Sequence, residues 1–274
     1  NNHILYDGWS NGILIKELLQ AYKAFLNNDQ VTGIRKASYK EFIKHIQKKD
    51  KDVKTKFWKG YMQGFTEKVT LGENKKASRP IKAKEYSFRV DDSIERSIYS
   101  FAKKLGLTTA ELFYGAWAFM LYKYSNMNDI TFGITTSVRP PDIRDIQNTI
   151  GLFINTIPFR IIIDPDEDIA SYFSRVKKVL SSIDEFKTST LADIIATSEV
   201  SSKGGLFDII VTIENYPHHI DTNQNDKGLY IKSYSIYETS NFDINLEIIM
   251  NPVFEMKFLY NNNTIDSELI RNIS

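Results

Sequence analysis

The chain has no cysteine among its 274 residues. Disulfides, thiolate nucleophiles and cysteine-ligated zinc are therefore excluded. An excess of either charge is lacking too: 35 Lys and Arg stand against 34 Asp and Glu, a formal net charge of +1. Nucleic-acid-binding domains ordinarily carry a basic excess on some face, so this balance speaks against a nucleic-acid partner. No apolar run approaches the ~18 residues of a membrane span, and no signal peptide opens the chain. The expectation is a cytoplasmic protein with no membrane partner. Also missing are the phosphate-cradling loops Gly-x-x-x-x-Gly-Lys and Gly-x-Gly-x-x-Gly and the Gly-x-Ser-x-Gly elbow of serine hydrolases. Nucleotide hydrolysis and serine-hydrolase chemistry lose their usual supports.

What remains is a globular composition, 42% hydrophobic and 25% charged, enough for one large domain or two modest ones. Leu14, Leu18, Tyr22 and Phe25 share one helical face, with Ser10 as the expected N-cap. Phe42, Ile43 and Ile46 mark a second helix; Phe57, Trp58, Tyr61, Met62 and Phe65 mark a third. Lys48, Lys49, Lys51, Lys54 and Lys56 read as a solvated helix face. Residues 66–84, polar and lysine-rich, read as a linker between two lobes. Beyond it, a helix carrying Ile94, Ile98, Phe101 and Leu105 stops at Gly106. Thr108 and Glu111 make a capping box for a very apolar helix. A further helix carries Tyr172, Val176, Leu180 and Ile183. Strands are expected near 86–90, 129–136, 157–163, 207–213, 229–237, 242–250 and 253–260. Helices on a mixed sheet predict an α/β two-layer sandwich.

Histidine is scarce: His3, His45, His218 and His219. Adjacent histidines on a strand point to opposite faces and suit one metal poorly, so His218 and His219 read as a solvated turn; His45, among lysines, reads as surface. No metal site is expected. His3 differs, because Asp7 follows four positions later, with Gly8 behind it and Ile4, Leu5, Tyr6 and Trp9 around it. Imidazole is the side chain suited to moving a proton near neutral pH. Gly8 would permit a turn closed to other residues. A buried Asp7 needs a cation or several donors, and its partner must come from a distant segment.

The run Asn2-His3-Ile-Leu-Tyr-Asp7-Gly8-Trp9-Ser10 resembles the His-His-x-x-x-Asp-Gly signature of nonribosomal peptide synthetase condensation domains, shared with acyltransferases such as chloramphenicol acetyltransferase. Phe57-Trp58-Lys59 resembles an aromatic-Trp-Lys helix of that family, and Ser137-Val138-Arg139-Pro140 its Ser-Gly-Arg-Pro segment. Gly151-Leu-Phe-Ile-Asn155-Thr156-Ile-Pro158-Phe-Arg160 resembles its Gly-x-Phe-x-Asn-Thr-x-Pro-x-Arg segment. Leu206-Phe207-Asp208 with Glu214-Asn215-Tyr216-Pro217, then Asn241-Phe242-Asp243 with Tyr260-Asn261, complete six matches in family order.

The resemblance implies a chloramphenicol acetyltransferase-like α/β sandwich in two lobes, with a tunnel between them. Residues 1–75 would be the end of the N-terminal lobe, carrying the catalytic loop, and 76–274 the C-terminal lobe. Most of the N-terminal lobe would precede residue 1, and these residues alone would be inactive. The implied reaction is amide formation: the amine of a downstream aminoacyl thioester attacks an upstream acyl or peptidyl thioester. Both substrates hang on the phosphopantetheine of carrier proteins, so the implied partners are two peptidyl carrier domains with an adenylation domain as neighbour. No cofactor is bound directly.

By the same resemblance His3 is the catalytic residue, accepting the amine proton or positioning the amine. Asp7 is structural and pairs with Arg139, and Gly8 lines the site. Trp9, Ser10 and Asn155 border the tunnel, although read from their own chemistry Trp9 is packing and Asn155 either reaches the tunnel or caps a turn. Asn2 stands where the family has its first histidine, so an argument from two titrating histidines does not apply. Val138 replaces a glycine, so a left-handed backbone is not expected there. Alternatives on the same fold are epimerisation, ester formation, acylation of a soluble acceptor, and a non-catalytic docking module for carrier proteins.

Overall fold

A computed structural model describes residues 5–31, 33, 36–72, 83–199, 205–214, 241–250 and 253–274. Asn2, His3, His218, His219, the segment Asn215-Tyr216-Pro217 and the strand expected at 229–237 lie outside the described residues. Contacts divide the chain into two compact units: residues 1–50 with 137–154 and 216–238, and residues 51–136 with 155–215 and 239–274.

The larger unit is built on a six-stranded mixed sheet. Its strands are β1 (Ala83–Arg89), β2 (Asp129–Ser137), β3 (Ile154–Ile162), β4 (Ile209–Glu214), β5 (Ile244–Ile249) and β6 (Glu255–Asn261), in the order β1-β6-β5-β4-β2-β3. β4 runs parallel to both β2 and β5, whereas β6 is antiparallel to β5 and β1. Strand periodicity decides which side chains meet the helices. Ile130, Phe132 and Ile134 of β2, Ile157, Phe159 and Ile161 of β3, and Ile244, Leu246 and Ile248 of β5 all enter one buried core. The alternate β5 residues Asn245 and Glu247 lie on the other face, where Glu247 pairs with Lys257 of β6 at 2.5 Å.

The helices of this unit are α3 (Lys51–Tyr61), α4 (Asp92–Leu105), α5 (Thr109–Ser125), α6 (Ile169–Asp184), α7 (Leu191–Thr197) and α8 (Ser267–Ile273). α5 begins in the expected capping box: Thr108 N donates to the Glu111 carboxylate and Glu111 N to Thr108 Oγ1. It packs on α6 at Gly115, where a Cβ would lie 2.5 Å from the Phe173 ring. α4 ends at Gly106, whose φ of 63° is the left-handed conformation that favours glycine.

Residues 66–72 are not a linker. Val69 is buried in the large core beside Met62 and Phe65, and Lys68 pairs with Asp208. Val69, with Leu71 packed against the same core, outweighs the polar composition of the stretch. α3, read from sequence with the first lobe, packs on α7 of the larger unit.

The smaller unit holds α1 (Gly8–Leu26) and α2 (Tyr39–Gln47). Its core is compact: Phe42, Val138, Ile146 and Phe153, with Tyr39, Ile46 and Ile143 against them. Val138 is thus a core residue, and its N–H donates to Phe153 O at 2.7 Å. Among the described residues the positive-φ positions lie elsewhere, as the substitution for glycine leads one to expect.

Candidate active site

The geometry of the motif loop begins with Asp7, not with Ser10. Asp7 is the N-cap of α1, with Oδ1 accepting from Ser10 N at 2.9 Å. The N-cap therefore falls three residues earlier than the helical period suggested, because a carboxylate satisfies the free N–H groups of the first turn and complements the helix dipole. Gly8 is the first helical residue, a conformation open to any amino acid, so no glycine-only turn is needed there.

Asp7 and Arg139 meet inside the smaller unit, with side chains only 1% and 3% exposed. At 3.3 Å their attraction is about 5 kcal/mol for an effective dielectric near 20. Desolvating each ion costs several kcal/mol, so the pair by itself does little better than break even. The surrounding hydrogen bonds decide the balance. Ser10 Oγ, fully buried, donates to Asp7 Oδ1 at 2.7 Å. Phe153 N donates to Asp7 Oδ2 at 3.0 Å, and Asp7 N donates to Gly151 O at 3.2 Å. Ser10 Oγ also accepts from Gly151 N at 3.1 Å and from Arg139 Nη2 at 3.2 Å.

Arg139 does not grip the carboxylate with both arms. A single nitrogen, Nη2, lies 3.3 and 3.5 Å from the two Asp7 oxygens. Nη1 donates instead to the carbonyls of Ile146 and Thr149, at 2.6 and 2.9 Å. The guanidinium thereby fastens the 139–149 loop as well as the motif. It also lies 4.0 Å from the Phe153 ring centroid and 5.6 Å from that of Trp9. Trp9 adds a bond from Nε1 to Gln147 O at 2.9 Å.

Asn155 belongs to the larger unit. Its Nδ2 donates to the carbonyls of Lys187 and Ser189 at 2.8 and 2.7 Å, and its Oδ1 accepts from Thr156 N. The side chain anchors a turn. His45 is half-buried rather than wholly on the surface, its Nδ1 3.2 Å from Asp142 Oδ2. Lys48, Lys49, Lys51 and Lys56 are solvent-exposed. Among the described residues no cluster fit for a metal occurs, and no helix is long and apolar enough to cross a membrane.

Sequence reasoning missed Tyr39. It opens α2 after the Ser38 cap, and its hydroxyl donates to Leu152 O at 2.9 Å. Burial, and secondarily the nearby Asp7 carboxylate, raise its phenol above the ordinary tyrosine value. A lone aromatic at a helix start carries no pattern that would have marked it.

Comparison with known proteins gives the family and the fold of the chain. A family model described as "Condensation domain" matches residues 2–274. The chain is 31% identical over 279 residues to surfactin synthase subunit 2 of Bacillus subtilis (strain 168), an alignment covering 98% of the chain and 8% of that protein. It is 27% identical over 278 residues to gramicidin S synthase 2 of Brevibacillus brevis, covering 99% of the chain and 6% of that protein. The first condensation domain of the calcium-dependent antibiotic synthetase, solved with substrate analogue 2a, superposes with a TM-score of 0.79 at 18% identity, covering 99% of this chain and 62% of that one. A four-domain nonribosomal peptide synthetase bound to AMP and glycine gives a TM-score of 0.78 at 21% identity, covering 98% of this chain and 22% of that one. At such identities the structural likeness speaks for the fold. The chain spans less than a tenth of the length of these two curated relatives.

Proposed function

The chain belongs to the condensation-domain family, and from that premise we propose that it forms an amide between two carrier-bound thioesters in nonribosomal peptide synthesis. The amine nitrogen of the downstream aminoacyl thioester attacks the upstream acyl carbon. The new C–N bond forms, the C–S bond breaks, and the sulfur leaves as the thiolate of its carrier arm, which ends with the one proton that the amine gives up. His3 is the group proposed to accept that proton or to hold the amine; a positioned base of this kind contributes roughly 10²–10⁴-fold. The substrates arrive on phosphopantetheine arms, so the partners are two carrier domains, with an adenylation domain adjoining, in a cytoplasmic synthetase. The lobe boundary belongs to this proposal as well, and we place it before α3.

The observation that carries the reading is the buried Asp7–Arg139 pair with its ring of donors. It consumes Asp7 in fixing the loop's shape, so Asp7 does not serve as a relay carboxylate, and the chemistry of the motif falls to His3. Gly8 begins the capped helix, and Ser10 and Trp9 support the pair.

The test is His3→Ala in the full-length protein, supplied with loaded donor and acceptor carriers. The expected result is loss of amide product with the melting temperature unchanged. Near-normal product would remove His3 from the reaction. A wild-type product of inverted chirality, or an ester, would replace amide formation with the corresponding reaction. Asn2, in place of the family's first histidine, favours a second reading as a carrier-docking module; carrier binding by the wild type without any turnover would establish it.

A further inference from the structure

The loop that carries Asp7 leans on a short segment, Gly151–Phe153, and that segment is itself held from behind. Gly151 offers its carbonyl to Asp7 N and its N–H to Ser10 Oγ, while Phe153 offers its N–H to Asp7 Oδ2. Three of the contacts that shape the loop thus depend on where this backbone sits. Tyr39 fixes that position in two ways. Its hydroxyl donates to Leu152 O, the carbonyl between the two contact residues, at 2.9 Å. Its ring fills the space over Gly151, where an added Cβ would lie 2.3 and 2.6 Å from ring carbons Cδ2 and Cε2. Such a clash falls on a ring held in place, not on a flexible side-chain end. Tyr39 meets Phe153 edge-on at 5.2 Å and Phe42 at 5.5 Å, and Phe42 is nearly fully buried.

We propose that Tyr39 is a positioning residue for the reaction: it clamps Gly151–Phe153 against the motif, so that the Asp7 carboxylate receives the Phe153 N–H and residues 7–10 keep one shape. A backbone displaced by even a fraction of an ångström lengthens the 3.0 Å and 3.2 Å bonds at once, and misplacement on the scale of 1 Å costs enzymes up to about 10²-fold in rate. Gly151 and Tyr39 act as one unit, the missing side chain of one making room for the ring of the other. The effect on turnover rests on the amide-forming reading, whereas the clamp itself stands on the geometry alone.

The experiment compares Tyr39→Phe, Tyr39→Ala, Gly151→Ala and the double variant Tyr39→Ala/Gly151→Ala in the full-length protein. Three readouts are needed: melting temperature, hydrogen–deuterium exchange of the peptides holding residues 7–10 and 151–153, and kcat and KM for amide product from loaded carriers. Tyr39→Phe keeps the ring and loses the bond to Leu152 O; exchange in both peptides should quicken several-fold and kcat fall by a similar factor, with KM held and the melting temperature lowered by no more than about 4 °C. Gly151→Ala should lower kcat by about tenfold or more, and the double variant should be no worse than Tyr39→Ala, since the atoms that clash are gone. Wild-type exchange in both peptides for Tyr39→Phe, or additive losses in the double variant, would overturn the clamp. If the alanine variants do not fold, Tyr39→Phe decides alone by the same criterion. If the wild type makes no amide, the functional reading fails, and the exchange data still judge Tyr39.

Discussion

Arg139 divides its guanidinium between two tasks, placing Nη2 3.3 Å from Asp7 Oδ1 and giving Nη1 to the carbonyls of Ile146 and Thr149. The division predicts how substitutions rank. Arg139→Ala leaves a buried carboxylate without its cation, a change that costs about 3–5 kcal/mol. Arg139→Lys keeps the charge, but a single ammonium cannot span Asp7 and both loop carbonyls. Its cost in denaturant unfolding should therefore approach that of the alanine variant. A lysine variant within about 1 kcal/mol of wild type would show that charge alone matters and that the second arm contributes nothing.

Asn155 is expected to matter for stability. Its side chain satisfies two carbonyls of the 187–189 turn and one N–H of its own strand. Asn155→Ala forfeits all three bonds, and at roughly 1 kcal/mol each, partly recovered by water, a loss of about 2 kcal/mol is expected. Thermal or denaturant unfolding measures it. Wild-type stability in that variant would remove the anchoring role and return Asn155 to the substrate path.

Two helical glycines should respond in opposite directions to alanine. Gly60 in α3 has nothing within 4 Å of a would-be Cβ, so Gly60→Ala should gain up to about 1 kcal/mol from helix propensity. Gly115 in α5 has the Phe173 ring at 2.5 Å and Val176 Cγ2 at 3.2 Å. The same propensity gain is there set against overpacking of about 1–3 kcal/mol, and the net effect should be destabilising. Unfolding curves of the two variants, measured side by side, check the sign of each; stabilisation by Gly115→Ala would mean that α5 and α6 part easily.

Much of this was legible in the sequence because local rules agreed with the fold. The Thr108–Glu111 box, the Gly106 stop and the alternating strands each express a backbone requirement in neighbouring residues. So did the Asp7–Arg139 pairing, through motifs rather than spacing. What escaped was non-local. Ser10 looked like a cap and is instead a buried hydroxyl shared by Asp7, Arg139 and Gly151. Val69 looked like part of a spacer because isolated apolar residues in a polar stretch show no period, yet it is buried in the core. Tyr39 gained its place from a glycine more than a hundred residues away, a relation that periodicity does not record. The strand order, with β4 running parallel to both its neighbours, likewise rests on pairings between distant segments.

Alkaline titration provides the last prediction. Burial raises the phenols of Tyr61, Tyr114 and Tyr172 well above the ordinary value of 10.0. A group whose folded pKa is raised keeps its proton in the native state after the unfolded chain has lost it. Its contribution to stability is therefore complete below pH 10 and declines as pH rises beyond. Three such groups give a slope of up to about 4 kcal/mol per pH unit above that point. Tyrosinate absorbance should accordingly appear together with unfolding, not before it, for this share of the tyrosines. Tyr114→Phe removes one titrating group, whose phenol is raised by burial. The variant should lose stability less steeply above pH 10, by about one third of that slope. An unchanged slope would mean that Tyr114 ionises in the native protein as readily as in the unfolded chain, and that burial at this position does not exclude its charge.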